Sequence, residues 1–182
     1  LLNSNERIGQ FGASQKALSQ IQILFNDAND QGLAAGLNEF FKAWQDVATN
    51  PADLTARTVL LTKADGLTKV LNQASSQLSA QRISLDGQVG SSINDINGLA
   101  SKIADLNAQI KLTEVGGQQA NDLRDQRGRF LNDLAGLVDI SSIEDGNGQV
   151  TVFVGVGQVL VTDRTAFKLT GVPDATNGGL LD

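Results

Sequence analysis

Along most of the chain, apolar residues recur at steps of three and four, the period of an α-helix with one buried face. Ile8, Phe11, Leu18, Ile21 and Phe25 form a first stripe, which runs into the turn-rich stretch 26–32. A second stripe, Leu33, Leu37, Phe40, Trp44 and Val47, stops at Thr49-Asn50-Pro51. There Asn50 suits an N-cap, Pro51 the first helical position and Asp53 the positive end of a helix. The third stripe is much longer, running from Leu60 through Leu67, Leu78, Leu85, Ile96 and Ile103 to Ile110 with no proline. It predicts a helix over 51–112, about 90 Å long at 1.5 Å per residue. Its steps alternate four and three except at Gln81, Leu85 and Val89, a stutter flanked by Gly87 and Gly90, which predicts a bend or weak point within 81–90.

Val115-Gly116-Gly117 closes this helix, and Asn121-Asp122 with Asp125 opens another, whose apolar face is Leu123, Phe130, Leu131, Leu134 and Val138 and whose end frays at Gly136. After Val138 the period becomes two. Residues 140–143 and 150–154 read as strands joined by the hairpin signal Asp145-Gly146-Asn147-Gly148, residues 159–162 and 166–169 as two more, and 173–179 as loop. The fold class is therefore α+β, mainly α: an elongated helical bundle with one very long helix, followed by a small antiparallel β segment that begins a second domain. The domain boundary is placed between a helical rod, 1–138, and a β-rich segment, 139–182.

Composition narrows the function. The chain is 41% hydrophobic and 19% charged, within the globular range. Seven Phe and one Trp without Tyr leave a core of Leu, Ile, Val and Ala, suited to helix packing. Fourteen basic against twenty acidic residues, net charge −6, lack the electrostatic footprint of a nucleic-acid or anionic-membrane binder. No apolar run reaches the roughly 20 residues needed to span a bilayer, and the absence of Met even at position 1 predicts an internal stretch of a longer chain. Zero Cys and zero His remove thiolate nucleophiles, disulfides and the commonest metal and proton-transfer ligands.

The remaining candidate chemistry is thin. Residues 27–32 imitate the opening of a calcium loop, but Asn38 stands where a bidentate Glu belongs, so a capped turn is the reading. Gly155-Val156-Gly157 begins like a phosphate-binding glycine motif, yet Leu160 occupies the third glycine position and a strand follows; a hairpin with a bulge is favoured. Asp122, Asp125, Arg127 and Asp133 crowd one helix and read as its solvated outer face, with the Asp residues near the dipole and paired to Arg124 or Arg127. Phe40 and Trp44 lie on the apolar stripe and are expected to be buried. Phe41 lies off it and is the candidate for contact with another subunit. No catalytic, cofactor-binding or metal-binding residue is assigned, and an enzyme is not expected.

Several stretches together resemble the flagellar hook-associated protein 1 family, related to flagellin. They are residues 38–48 (NEFFKAWQDVA) with Asn50-Pro51, 103–110 (IADLNAQI), 121–127 (NDLRDQR) and 148–158 (GQVTVFVGVGQ). The resemblance covers about 33–162 in order. Gly128 departs from it, where relatives often carry an acidic residue. It implies a secreted, extracellular structural subunit of the bacterial flagellum, exported unfolded through the type III channel and assembled as a ring between hook and filament. The implied neighbours are the flagellar hook protein, the second hook-filament junction protein and sister copies, with an export chaperone acting on a missing C-terminal region. The terminal helices through which such proteins polymerise fall outside this sequence, so the fragment is expected to be monomeric in solution. The competing readings are a secreted or signalling coiled-coil rod and another flagellin-like axial subunit; the β segment speaks against the first.

Overall fold

The computed structural model describes residues 32–181 together with Gly12, Gln15, Leu18, Ser19 and Gln22. The last five are helical and exposed, whereas Ile8, Phe11, Ile21, Phe25 and the calcium-like run 27–31 lie outside the described residues. Helix α1 spans Leu33–Thr49, α2 Leu54–Val115 and α3 Asn121–Ala135. Strands β1 (Ile140–Glu144), β2 (Val150–Val154), β3 (Gln158–Thr162) and β4 (Thr165–Ala166) form an antiparallel sheet in that order, and β5 (Pro173–Asp174) pairs with β6 (Leu180–Leu181). The fold is α+β and mainly α, with the very long helix and small sheet the periodicity predicts. The tail expected to be loop instead forms the β5–β6 pair around a 3-10 turn, because the Asp174 carboxylate accepts from the Thr176 N–H and hydroxyl and closes the turn locally.

The long helix starts three residues later than expected. Asn50 ends α1, its N–H returning to the Asp46 carbonyl, and the Asp53 carboxylate caps α2 by accepting from the Thr55 and Ala56 N–H groups at 2.8 and 3.3 Å. Pro51 and Ala52 form the intervening turn. Within residues 81–90 the helix is unbroken, so the stutter and its glycines do not interrupt the backbone ladder.

Two compact units divide the described residues, one within 15–85 and the other made of 86–181 with Gly12. In the first unit, α1 and the opening turns of α2 pair as a helical hairpin: Lys63 reaches Glu39 at 2.8 Å, and Gly36 lies close enough to Leu67 that an added Cβ would touch it at 3.5 Å. Small residues set this contact. The inward stripe is Leu33, Gly36, Phe40, Ala43 and Val47, which turns Leu37 and Trp44 outward. Trp44, expected to be buried, is 58% exposed, because Ala43 rather than the indole permits close helix approach.

The second unit holds the core. Ile96, Ala100, Ile103 and Ala104 of α2 and Leu134 and Ala135 of α3 pack against Ile140, Val150, Val152, Val154, Leu160 and Val161 of the sheet. The predicted bulge is present. Register shifts between β2 and β3, so that Leu160 is an extra residue between Val159 and Val161, and both Leu160 and Val161 consequently face the core.

Candidate functional site

The most polar interior of the molecule lies where α2, α3 and the β1–β2 hairpin meet. Asn107 follows Ile103 by four residues and precedes Ile110 by three, so helical geometry carries it into the buried stripe. Arg127 stands four residues after Leu123 and four before Leu131, again on the inner face. Both are buried, at 0% and 3% exposure. Glu144 shares a face with its partner Val150 and with Ile140 four residues earlier, so it closes the core side of the hairpin with a carboxylate.

Burying such groups is costly unless each is satisfied, and here each is. Arg127 donates from Nη1 to Asn107 Oδ1 at 2.9 Å and to the Gly148 carbonyl at 2.6 Å, and from Nη2 to Glu144 Oε1 at 3.0 Å. Arg124, one turn earlier, grips Glu114 with Nε and Nη2, both at 2.8 Å, and also donates to Glu144. The Asn107 amide donates to the carbonyls of Val150 and Asp163 and accepts from the Val150 N–H. No buried side-chain nitrogen or oxygen among the described residues is left without a partner. Arg127 was expected on a solvated face; its placement inside is a correction, and the reason is that its fork satisfies three acceptors from three different elements.

The hairpin tip is shaped for this clasp. The Asp145 carboxylate accepts from the Asn147 and Gln149 N–H groups, and these bonds, the Gln149 one foremost, hold its pKa below the ordinary value. Gly148 has φ +77°, and a side chain there would run into Arg124 and Glu114, so glycine is required on both counts. Arg124 holds the Glu114 carboxyl below its ordinary range and is itself raised by Glu114.

A depressed folded pKa stabilises the fold above the unfolded value, near 4.3 for Glu, and that contribution disappears as pH falls through the folded value. Urea unfolding of the 182-residue chain across pH 3 to 7 is therefore expected to show an acid limb whose slope is shallower in Glu114→Gln, which cannot take up the proton. Equal slopes in the two chains would refute the assignment.

Phe41, the predicted contact residue, is 62% exposed, with its ring edge-on to Phe40 at 5.4 Å. It neighbours Leu37 and Trp44 on the outer face of α1 and takes no part in the polar clasp. Asn107 and Gly148 escaped the sequence reading. Their signal was present, as a polar residue inside an apolar period and a glycine closing a hairpin. What could not be read was that Arg127 bonds both.

A long helix clasped to a small sheet by arginines whose hydrogen bonds are consumed in holding elements together defines a structural module. The profile described as flagellar hook-associated protein FlgK helical domain matches residues 18–181, and the chain belongs to that family. The flagellar hook-associated protein 1 of Bacillus subtilis is 29% identical over 175 residues, which is 95% of this chain and 34% of that protein. The protein of the same name from Salmonella typhimurium is 34% identical over 163 residues, 88% of this chain and 29% of the relative. The flagellar hook junction protein FlgK from Burkholderia pseudomallei shares the fold with a TM-score of 0.73 at 29% identity, over 94% of this chain and 30% of its own. This chain thus spans about a third of the length of these relatives. The stretches that carry the resemblance, 103–110, 121–127 and 148–158, are those that supply Asn107, Arg124, Arg127, Gly148 and Val150 to the clasp.

Proposed function

We propose that the protein containing this chain is a non-enzymatic structural subunit of the bacterial flagellum that joins hook to filament outside the cell. The observation that carries this reading is family membership across residues 18–181. Its partners are the hook protein, a second junction protein and sister copies of itself, and it reaches its place by export in an unfolded state, with a chaperone engaging sequence beyond this chain. The 182-residue chain alone is monomeric. The outer stripe of α1 supports an assembling role: Leu37, Phe41 and Trp44 are exposed together, and aromatic side chains concentrate binding energy at interfaces. We assign Phe41 to contact with a neighbouring subunit. Among the described residues no helix is long and apolar enough to cross a membrane.

Deletion of the gene in its native host tests the reading. Complete hooks without filaments, with flagellin released to the medium, are expected, and normal filaments would overturn it. Complementation with Phe41→Ala isolates the contact. Fewer filaments per cell are expected, while the purified 182-residue chain keeps its stability within about 0.5 kcal/mol, as for a surface substitution. Wild-type filament numbers would remove Phe41 from the interface and leave the family assignment standing.

A further inference from the structure

Two asparagines of α2 make the same unusual bond pattern. Asn107 donates to the Val150 carbonyl at 2.8 Å and accepts from the Val150 N–H at 3.1 Å. Asn97 donates to the Leu169 carbonyl at 2.9 Å and accepts from the Leu169 N–H at 2.8 Å. A primary amide carries the same donor and acceptor as a peptide group, and a doubly bonded pair is what one strand residue offers another across an antiparallel ladder. Each asparagine therefore stands where a strand would continue. The β2–β3 ladder covers Val152 to Val154; at Val150 its place is taken by Asn107, which also holds the Asp163 carbonyl just past the end of β3 at 2.7 Å. The fourth strand, expected over 166–169, ends at Ala166, and Leu169 pairs with Asn97 instead.

We infer that Asn97 and Asn107 act as strand surrogates that fix the register on α2 of the sheet, through Val150, and of the segment leaving β4, through Leu169. Apolar packing alone leaves that register open. Burial is non-directional, and a strand displaced by two residues presents the same face to the helix. The core here is Val, Leu, Ile and Ala, which tolerates such a shift. The two amides do not, because each matches the N–H and C=O of a single residue. Their separation of ten residues, about 15 Å along the helix, supplies two fixed points on α2, one holding β2 at Val150 and one holding the segment that leaves β4 at Leu169.

The chain contains no Cys, so paired spin labels can be placed uniquely at exposed sites, Ser101 on α2 with Ser142 on β1, and Ser101 with Lys168. In the parent, both distances are expected to be narrow. In the Asn97→Leu, Asn107→Leu double variant, the Ser101–Ser142 distance is expected to broaden or shift by up to about 7 Å, two residues of strand rise, while far-UV helicity persists. An unshifted, narrow distance in a folded double variant would overturn the inference and leave the asparagines merely stabilising. Should the double variant unfold, Asn97→Leu alone decides, since the clasp at Asn107 stays intact. Broadening confined to Ser101–Lys168 upholds the assignment, and no change in that distance overturns it.

Discussion

An Arg127→Ala chain is expected to lose about 3 kcal/mol or more of unfolding free energy, the range for breaking a buried charged pair. Two effects add. The Gly148 carbonyl loses its donor at 2.6 Å while Asn107 Oδ1, which gives up a bond of 2.9 Å, keeps the Val150 N–H, and a buried acceptor left unsatisfied costs about 1–3 kcal/mol. Removing the long side chain also opens a gap among α2, α3 and the hairpin. Glu144, which is 43% exposed, can rehydrate, and this keeps the loss near the lower end. Arg127→Lys is expected to recover little, because one ammonium cannot reproduce a planar fork that reaches three acceptors. Chemical denaturation of the 182-residue chain measures the loss, with Arg129→Ala on the exposed side of α3 as a control expected within about 0.5 kcal/mol. Equal losses for the two arginines would mean that the clasp contributes nothing beyond helix propensity.

The helices and strands were legible because their causes are local. The seam from Leu60 to Ile110 is a periodicity, the close at Gly116-Gly117 is a backbone preference, and the strands after Val138 announce themselves by a change of period. Boundaries slipped where two caps competed. Asn50 and Asp53 both qualify as N-caps, and only the Thr55 and Ala56 N–H groups decide for Asp53. The stripe of α1 was misplaced by one position, since hydrophobicity favours Leu37 and Trp44 whereas close helix approach selects Gly36 and Ala43. Size decides over apolarity when two helices pack tightly.

The clasp was not legible, for a different reason. Asn107, Arg127 and Gly148 are separated by about twenty residues each, and nothing in one segment says which other segment it will meet. Arg127 was read as solvated because charge is mostly exposed. The rule fails where a guanidinium finds three acceptors at once, and that condition is tertiary. The resemblance to flagellar hook-associated proteins nevertheless rested on these same stretches, so the sequence marked the right residues without giving their role. The shortened β4 follows the same logic, since pairing with Asn97, far away in sequence, takes Leu169 out of the ladder.

Leu134→Ala is expected to destabilise the chain by about 2–5 kcal/mol, the range for truncating a fully buried leucine. Leu134 is 0% exposed and touches the cluster in which Ile103, Val152 and Leu160 are also sealed from solvent. The comparison that gives the number meaning is Leu61→Ala, on the same scale of chemistry but at 71% exposure, where a change within about 0.5 kcal/mol is expected. The contrast follows from where burial lies: in 15–85 the sole fully buried residue among those described is Ala43, whereas the α2 stretch from Ile96 to Ile110 supplies seven buried residues. Amide exchange should locate the loss as well as measure it. Protection is expected to fall at Val152, Leu160 and Ile103 in the Leu134 variant, while the amides of 56–70 exchange as in the parent. A loss below about 1 kcal/mol, or protection lost evenly along α2, would show that the stability of this chain is not concentrated in the sheet-covered half of its long helix.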